Sequence, residues 1–258
     1  MASLFKNFGV SSIAVLDFET TGLSPYKDFP TEIGIVKVNV NAFGLPEVKE
    51  YTRKIKLPEG VTVPPFITEL TGLTTEILEK EGFNIIDLIP DVEELLDSNT
   101  LVVGHNINFD LGFLYKHFGI EPAHFMCTRT IEILTAPHLN ASLKNVHPRY
   151  YPEATQEQTH RAGDDCIMTL EVFNGQIELH GNEGMMYFKN KLVNMPDREL
   201  SFTPYNAKVL DFTKKYVSER DYNNVKEDSD KLAKLEAYGV DNWCGYGEAM
   251  TDSEGIFE

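Results

Sequence analysis

Ser12-Ile13-Ala14-Val15-Leu16-Asp17-Phe18 is a short, nearly uninterrupted apolar run that carries a carboxylate at its end. A run of this length and composition reads as a buried strand. Two further strand-like segments follow, Glu32 to Val40 and Glu47 to Leu57, parted by the turn-forming Asn41-Ala42-Phe43-Gly44-Leu45-Pro46. Parallel strands need a crossover of about a dozen residues, so the short links between the three runs predict an antiparallel meander.

Helical patterns then take over. Pro64-Pro65 opens a turn-and-helix region through Leu70, Thr74 caps a short segment ending near Gly82, and Pro90 suits the first turn of a helix running to about Asp97. Leu101 to Gly104 reads as the next buried strand. Asn108 is placed to cap a helix that carries Phe109, Phe113, Leu114, His117 and Phe118 and stops at Gly119. A last long helix is expected from near His160 towards Leu179. The front of the chain, 1–184, is thus predicted to form one α/β domain. Residues 185–258 form an acidic extension, helical over Pro204 to Tyr216 and Val225 to Tyr238, then disordered over Gly247 to Glu258.

Composition limits the function. The 258 residues carry 23 Lys plus Arg against 40 Asp plus Glu, a formal charge of −17. That charge counts against a protein that coats DNA electrostatically, but not against an enzyme that meets phosphate through metal ions. No stretch approaches the run of ~20 apolar residues that spans a bilayer. The beginning, MASLFKNFGVSS, lacks a secretory hydrophobic segment. A soluble, cytoplasmic protein is expected, and its three cysteines, Cys127, Cys166 and Cys244, lack metal-type spacing.

Chemistry collects in three places. In Asp17-Phe18-Glu19-Thr20-Thr21-Gly22-Leu23, strand alternation puts Asp17 and Glu19 on one face. Such a pair either holds a cation or a proton or turns out to solvent at the strand end. Asp110, in His105-Asn106-Ile107-Asn108-Phe109-Asp110, lies where a helix N-terminus welcomes a carboxylate, even as a mere cap. His160-Arg161-Ala162-Gly163-Asp164-Asp165 offers an imidazole and two acids, and spacing alone does not choose between Asp164 and Asp165. Together these parts suit two divalent cations, because hard ions take oxygen ligands.

DFETTGL, HNINFD and HRAGDD, in that order and with an intervening TELTG segment, resemble the DEDDh 3′–5′ exonucleases, the group that contains the proofreading subunit of bacterial replicases. The resemblance spans about residues 12–180. It implies a ribonuclease-H-like fold, with a mixed five-stranded sheet whose first three strands form an antiparallel meander. It further implies that Asp17 bridges two Mg2+ or Mn2+ ions, that Glu19 and Asp165 complete the first site, that Asp110 holds the second ion, and that His160 is the general base. The His-x-Ala-x-x-Asp pattern selects Asp165, with Asp164 as the alternative. Thr20, Thr21, Leu23, Leu70 and Thr71 match stretches that hold the terminal sugar and base, and Asn106 and Phe109 shape the site.

The implied reaction is hydrolysis of the terminal phosphodiester at the 3′ end of single-stranded or frayed DNA, releasing nucleoside 5′-monophosphates. RNA is the alternative substrate. Lys144, Arg149 and Arg161, interleaved with His147, Tyr150 and Tyr151, form a local basic and aromatic stretch of the kind that suits a single strand. A second class of reading is a proofreading subunit docked on a DNA polymerase through the extension, with Val209, Leu210, Phe212 and Tyr216 as the docking stripe.

Overall fold

The structure, a computed structural model, describes residues 2–40, 45–153, 159–213, 223 and 226–231. The chain divides into two units, Met1–Thr213 and Lys214–Glu258. In the second, residues 226–231 are helical, within the segment predicted as a helix from Val225. The predicted turn at 41–44, Tyr216, Cys244 and the acidic end from Gly247 lie outside the described residues.

In the first unit, helix α1 (Ala2–Phe8) precedes strands β1 (Ser12–Thr20), β2 (Pro30–Val40) and β3 (Pro46–Lys54). Three short helices, α2 (Pro65–Thr71), α3 (Thr75–Glu81) and α4 (Ile85–Leu95), lead to β4 (Thr100–Gly104). Then come α5 (Asn108–Phe113) with a π-helical turn over Leu114–Phe118, β5 (His124–Cys127), α6 (Thr128–Thr135), α7 (Leu143–Tyr150) and the long α8 (Ala162–Met185). Strands β6 (Lys191–Asn194) and β7 (Lys208–Asp211) close the unit.

The main sheet has the order β3-β2-β1-β4-β5. β1 pairs antiparallel with β2, which pairs antiparallel with β3, and the meander predicted from the short links is present. β4 lies parallel to β1, and β5 parallel to β4. Strand alternation divides the core in two. Ala14, Leu16 and Phe18 of β1 face a cluster that takes in Leu88 and Val92 of α4 and Leu111 and Phe113 of α5. Ile13 and Val15 face the other side, with Phe5 and Phe8 of α1 and Cys166 and Phe173 of α8. Asp17 and Glu19, in step with Ile13 and Val15, belong to the α8 side.

Several elements differ from the sequence reading. Pro90 lies inside α4 rather than in its first turn; it is solvent-exposed, so its ring and missing N–H are accommodated on the outer face. Asn108 is the first residue of α5 and not its cap, because its buried amide is committed to Ser201. The helix predicted over Pro204 to Tyr216 is strand β7 over Lys208–Asp211, which satisfies the backbone of β6 in a parallel pair. A helical docking stripe built on Val209 and Leu210 is therefore excluded. The division expected at 184 falls inside the first unit, whose core buries Met185, Phe188, Leu192 and Val193. Helix α8 runs past Leu179 to Met185, with a non-helical break at Gly181. Cys127 and Cys166 are free and buried, and among the described residues no helix is long and apolar enough to cross a membrane.

Candidate active site

β1 leaves the core at its C-terminal end, where the pairing with β2 slips between Glu19 and Thr20. Asp17 lies opposite Gly34 of β2, and Glu19 opposite Glu32. Gly34 has no side chain for a reason: a Cβ there would stand 2.4 Å from the backbone of Ala162. The first turn of α8 therefore rests directly on β2 and carries Asp165 towards Asp17.

Glu32 fixes that turn. Its buried carboxylate accepts the backbone N–H of Ala162 at 3.1 Å and two guanidinium N–H groups of Arg161, at 3.0 and 2.5 Å. An acid at a helix N-terminus meets both free N–H groups and the positive end of the helix dipole. Here the acid comes from a neighbouring strand.

His160, directly before this braced turn, has a left-handed backbone with φ 53°. Ligand atoms of Glu19, His160 and Asp165 lie within 4.8 Å of one another. Asp110 approaches from α5, its Oδ1 accepting the backbone N–H of Phe18 at 2.9 Å. The α5 anchor is aromatic: the Phe113 ring lies 4.9 Å from Phe109 and 6.5 Å from Phe18. Asp164, by contrast, is exposed and accepts a hydrogen bond from Thr159.

All five groups, Asp17, Glu19, Asp110, His160 and Asp165, line one cleft of about 330 Å³. Burial, then the neighbouring Asp165 and Glu32, push the Asp17 carboxyl well above the usual range. Burial and Asp17 do the same to Asp110. Glu19 is pushed up to about 9, chiefly by burial, then by Asp17, Asp165 and Glu32, with Arg161 opposing. Carboxylates crowded this way demand protons or cations. An all-oxygen set from one strand's end and two helices, with one imidazole beside it, fits hard divalent ions.

Of the predicted substrate contacts, Thr20, Leu23, Leu70, Asn106 and Phe109 line the cleft. Leu23 and Leu70 stand out as an apolar rim, 76% and 47% exposed. Thr21 and Thr71 do not reach the cleft. Thr21 is buried and ties its hydroxyl and its backbone N–H to Phe29; Thr71 is buried and bonds to Ile67 and Leu73. The predicted basic and aromatic stretch is also largely internal. Arg149 binds Glu132 and the Asn140 carbonyl, Arg161 binds Glu32, Tyr150 donates to Glu132, and His147 pairs with Glu171. Lys144 alone of its three cations stays exposed without a bonded partner among the described residues.

Six lining residues carried no site assignment in the sequence, and two of them, His105 and Arg198, are ionisable. His105 is half-buried, its ring nitrogens 2.9 Å from Thr128 Oγ1 and from the Ala141 carbonyl. Burial lowers its pKa to about 3, so it is a neutral structural group. Its place in the HNINFD segment was the available signal. Arg198 comes from a turn closed by the Met195–Arg198 bridge and is the one Lys or Arg lining the cleft among the described residues. No local pattern announces it.

Residues 14–173 match the RNase T family, described as "Exonuclease", a span of well over half the chain. The chain belongs to this exonuclease family. Among curated relatives of this exonuclease, a DNA polymerase III PolC-type of Thermotoga maritima is 39% identical over 67% of the chain, and the 3'-5' exonuclease DinG of Staphylococcus epidermidis is 28% identical over 71%. The chain spans only 12% and 20% of those two proteins. The fold is shared with the zinc-bound form of Escherichia coli ExoI in an ssDNA complex, with a TM-score of 0.57 at 14% identity, covering 69% of this chain and 42% of that one. Residues 211–255 separately match a family described as "Phage T7 gp5.9 RecBCD inhibitor".

Proposed function

We propose that this chain is a metal-dependent 3′–5′ exonuclease that removes nucleoside 5′-monophosphates from single-stranded or frayed DNA ends. The observation that carries the reading is the gathering of Glu19, His160 and Asp165 within 4.8 Å, in the cleft that also holds Asp17 and Asp110, in a chain of the exonuclease family. The names of the Staphylococcus relative and of the ExoI–ssDNA neighbour support the direction and the polymer.

Asp17, Glu19 and Asp165 would hold one Mg2+ or Mn2+, and Asp17 with Asp110 a second. When bound, two such ions supply a nucleophile at neutral pH and stabilise the leaving oxygen. His160, at the mouth beside Glu19 and Asp165, takes the proton from the attacking water, a role that imidazoles commonly fill. The Leu23, Leu70 and Phe109 rim receives the terminal base and sugar, with Thr20 and Asn106 offering polar contacts. Arg198 supplies counter-charge to the next phosphate in a cleft otherwise lined by acids. RNA is the alternative substrate on the same machinery.

The test is incubation of end-labelled single-stranded DNA and RNA with Mg2+, Mn2+ or a chelator. Stepwise loss of monophosphates from the 3′ end, dependent on metal and greater on DNA, is expected. Cleavage that persists in chelator overturns the metal-dependent reading.

The likeness of residues 211–255 to the phage protein favours a second role, carried by the C-terminal segment. Its eleven acidic residues against six basic ones make it an acidic arm. We propose that it binds RecBCD or a similar nuclease instead of a polymerase. Inhibition of RecBCD by the full chain, compared with a chain ending at Thr213, tests this; equal behaviour of the two discards it.

A further inference from the structure

We infer that the first unit carries a second contact for single-stranded nucleic acid, a basic groove at the other end of the central sheet, and this inference rests on the exonuclease reading above. The groove, about 690 Å³, is lined by His124, Tyr187, Lys189, Lys191, Tyr205 and Lys208 together with small and neutral groups, and no carboxylate lines it among the described residues. In a chain with a net charge of −17, such a concentration of cations stands apart.

The groove is built into the fold. Lys191 of β6 and Lys208 of β7 are register partners, so two like charges stand side by side on one small parallel sheet. Adjacent like charges on a sheet destabilise it unless an anion intervenes. Lys189 crowds them from the preceding turn, where the left-handed Asn190 bonds the Phe125 N–H and the Ala123 carbonyl and so fixes the groove floor. His124 sits close enough to Lys189 that burial and the ammonium together lower its pKa. None of the three lysines has a carboxylate partner among the described residues. Lys189 donates to the Phe8 carbonyl, and Lys191 lies over the Tyr187 ring. Glu121 accepts the backbone N–H of Tyr205 at 2.9 Å.

Cations alone would suit any polyanion, but the lips are aromatic. Tyr187 and Tyr205 are 59% and 74% exposed. Positive charge that tracks a backbone, with exposed rings on which unpaired bases stack, is the pattern of single-strand binding. The position is suitable too. His124 pairs with Leu101 at the start of β4, whereas the cleft opens after Gly104 at its end, three residues or about 10 Å further along the strand. Apart from Ala123 and His124, the lining residues lie beyond the 14–173 family match. The groove is thus built mostly from elements C-terminal to that match.

The test uses the full chain in chelator, where no divalent ion is available to hold phosphate in the cleft and binding reports the groove. Anisotropy with labelled oligothymidylate of about 16 nucleotides should show that Lys191→Gln/Lys208→Gln lowers affinity about tenfold. Two lost phosphate contacts should flatten the log–log salt slope by about 1.4. Tyr205→Ala should weaken binding by a similar factor, while metal-dependent hydrolysis of a trinucleotide stays unchanged in both variants. Unaltered affinity and slope for the long oligomer, with trinucleotide hydrolysis intact, overturns the groove alone. Competition by inorganic polyphosphate as effective as by an oligonucleotide of equal charge overturns its assignment to single strands. A wild-type chain that neither hydrolyses the trinucleotide nor binds the oligomer overturns the exonuclease reading itself.

Discussion

Two histidines line the cleft, and their surroundings separate their chemistry. His105 is bonded through both ring nitrogens and held neutral by desolvation. His160 sits half-buried at the mouth on a left-handed backbone, without such bonds among the described residues and close to Glu19 and Asp165. In the proposed mechanism, proton transfer from the attacking water is assigned to His160. His160→Ala is expected to lower kcat by about 10²- to 10⁴-fold while leaving oligonucleotide affinity unchanged; single-turnover rates and equilibrium binding on the same variant check both halves. A variant with wild-type kcat removes His160 from the chemistry. The residues of this site were readable where the chemistry is local: Asp17 and Glu19 share one strand face, and His160 and Asp165 share one helix entry. Arg198 was not, because it reaches the cleft only through the packing of elements far along the chain. Thr71 failed for the opposite reason, since its hydroxyl satisfies the backbone of its own helix end.

Among the elements, the first turn of α8 controls the site. It stands against Gly34, where a methyl group has no room, and it is clamped by Glu32. Glu32 touches neither the cleft wall nor the reacting atoms, so it is a positioning residue. Glu32→Gln keeps the shape but removes the charge that holds Arg161 and the helix N-terminus. It is expected to cost about 2 kcal/mol of stability and to weaken Mg2+ affinity together with kcat, leaving KM nearly unchanged. Denaturant unfolding and a metal titration of activity check this; full retention of metal affinity excludes the positioning role. Strands β1 to β3 were legible because alternation and short links repeat along the chain, and Gly119 stops its helix in the left-handed conformation that glycine favours. β7 was misread because Val209 and Leu210 suit either helix or strand, and only the unpaired edge of β6 decides between them. Glu32 looked like the beginning of an ordinary strand, since its partner lies 129 residues away.

For the molecule as a whole, the crowding of buried acids makes stability depend on pH and on cations. Glu19 titrates at about 9 in the fold against 4.5 for its ordinary value, so between those limits the folded chain retains a proton that the unfolded chain has released. Folding then binds more protons than unfolding, and stability must fall as pH rises through that window. Asp17 and Asp110 act in the same direction. In chelator, the melting temperature is expected to decline from pH 5 towards pH 9, and the stabilisation given by Mg2+ should grow over the same range as the acids ionise to receive it. Thermal melts with and without Mg2+ check this; a flat or rising profile in chelator contradicts it. The placement of α8 has one more consequence, which concerns synthesis. β1 emerges from the ribosome with its two carboxylates some 140 residues ahead of His160 and Asp165. Until that helix has been made and has docked on Gly34, a nascent chain carries half a site. In the proposed mechanism, partly synthesised copies therefore lack nuclease activity, which awaits completion of the fold.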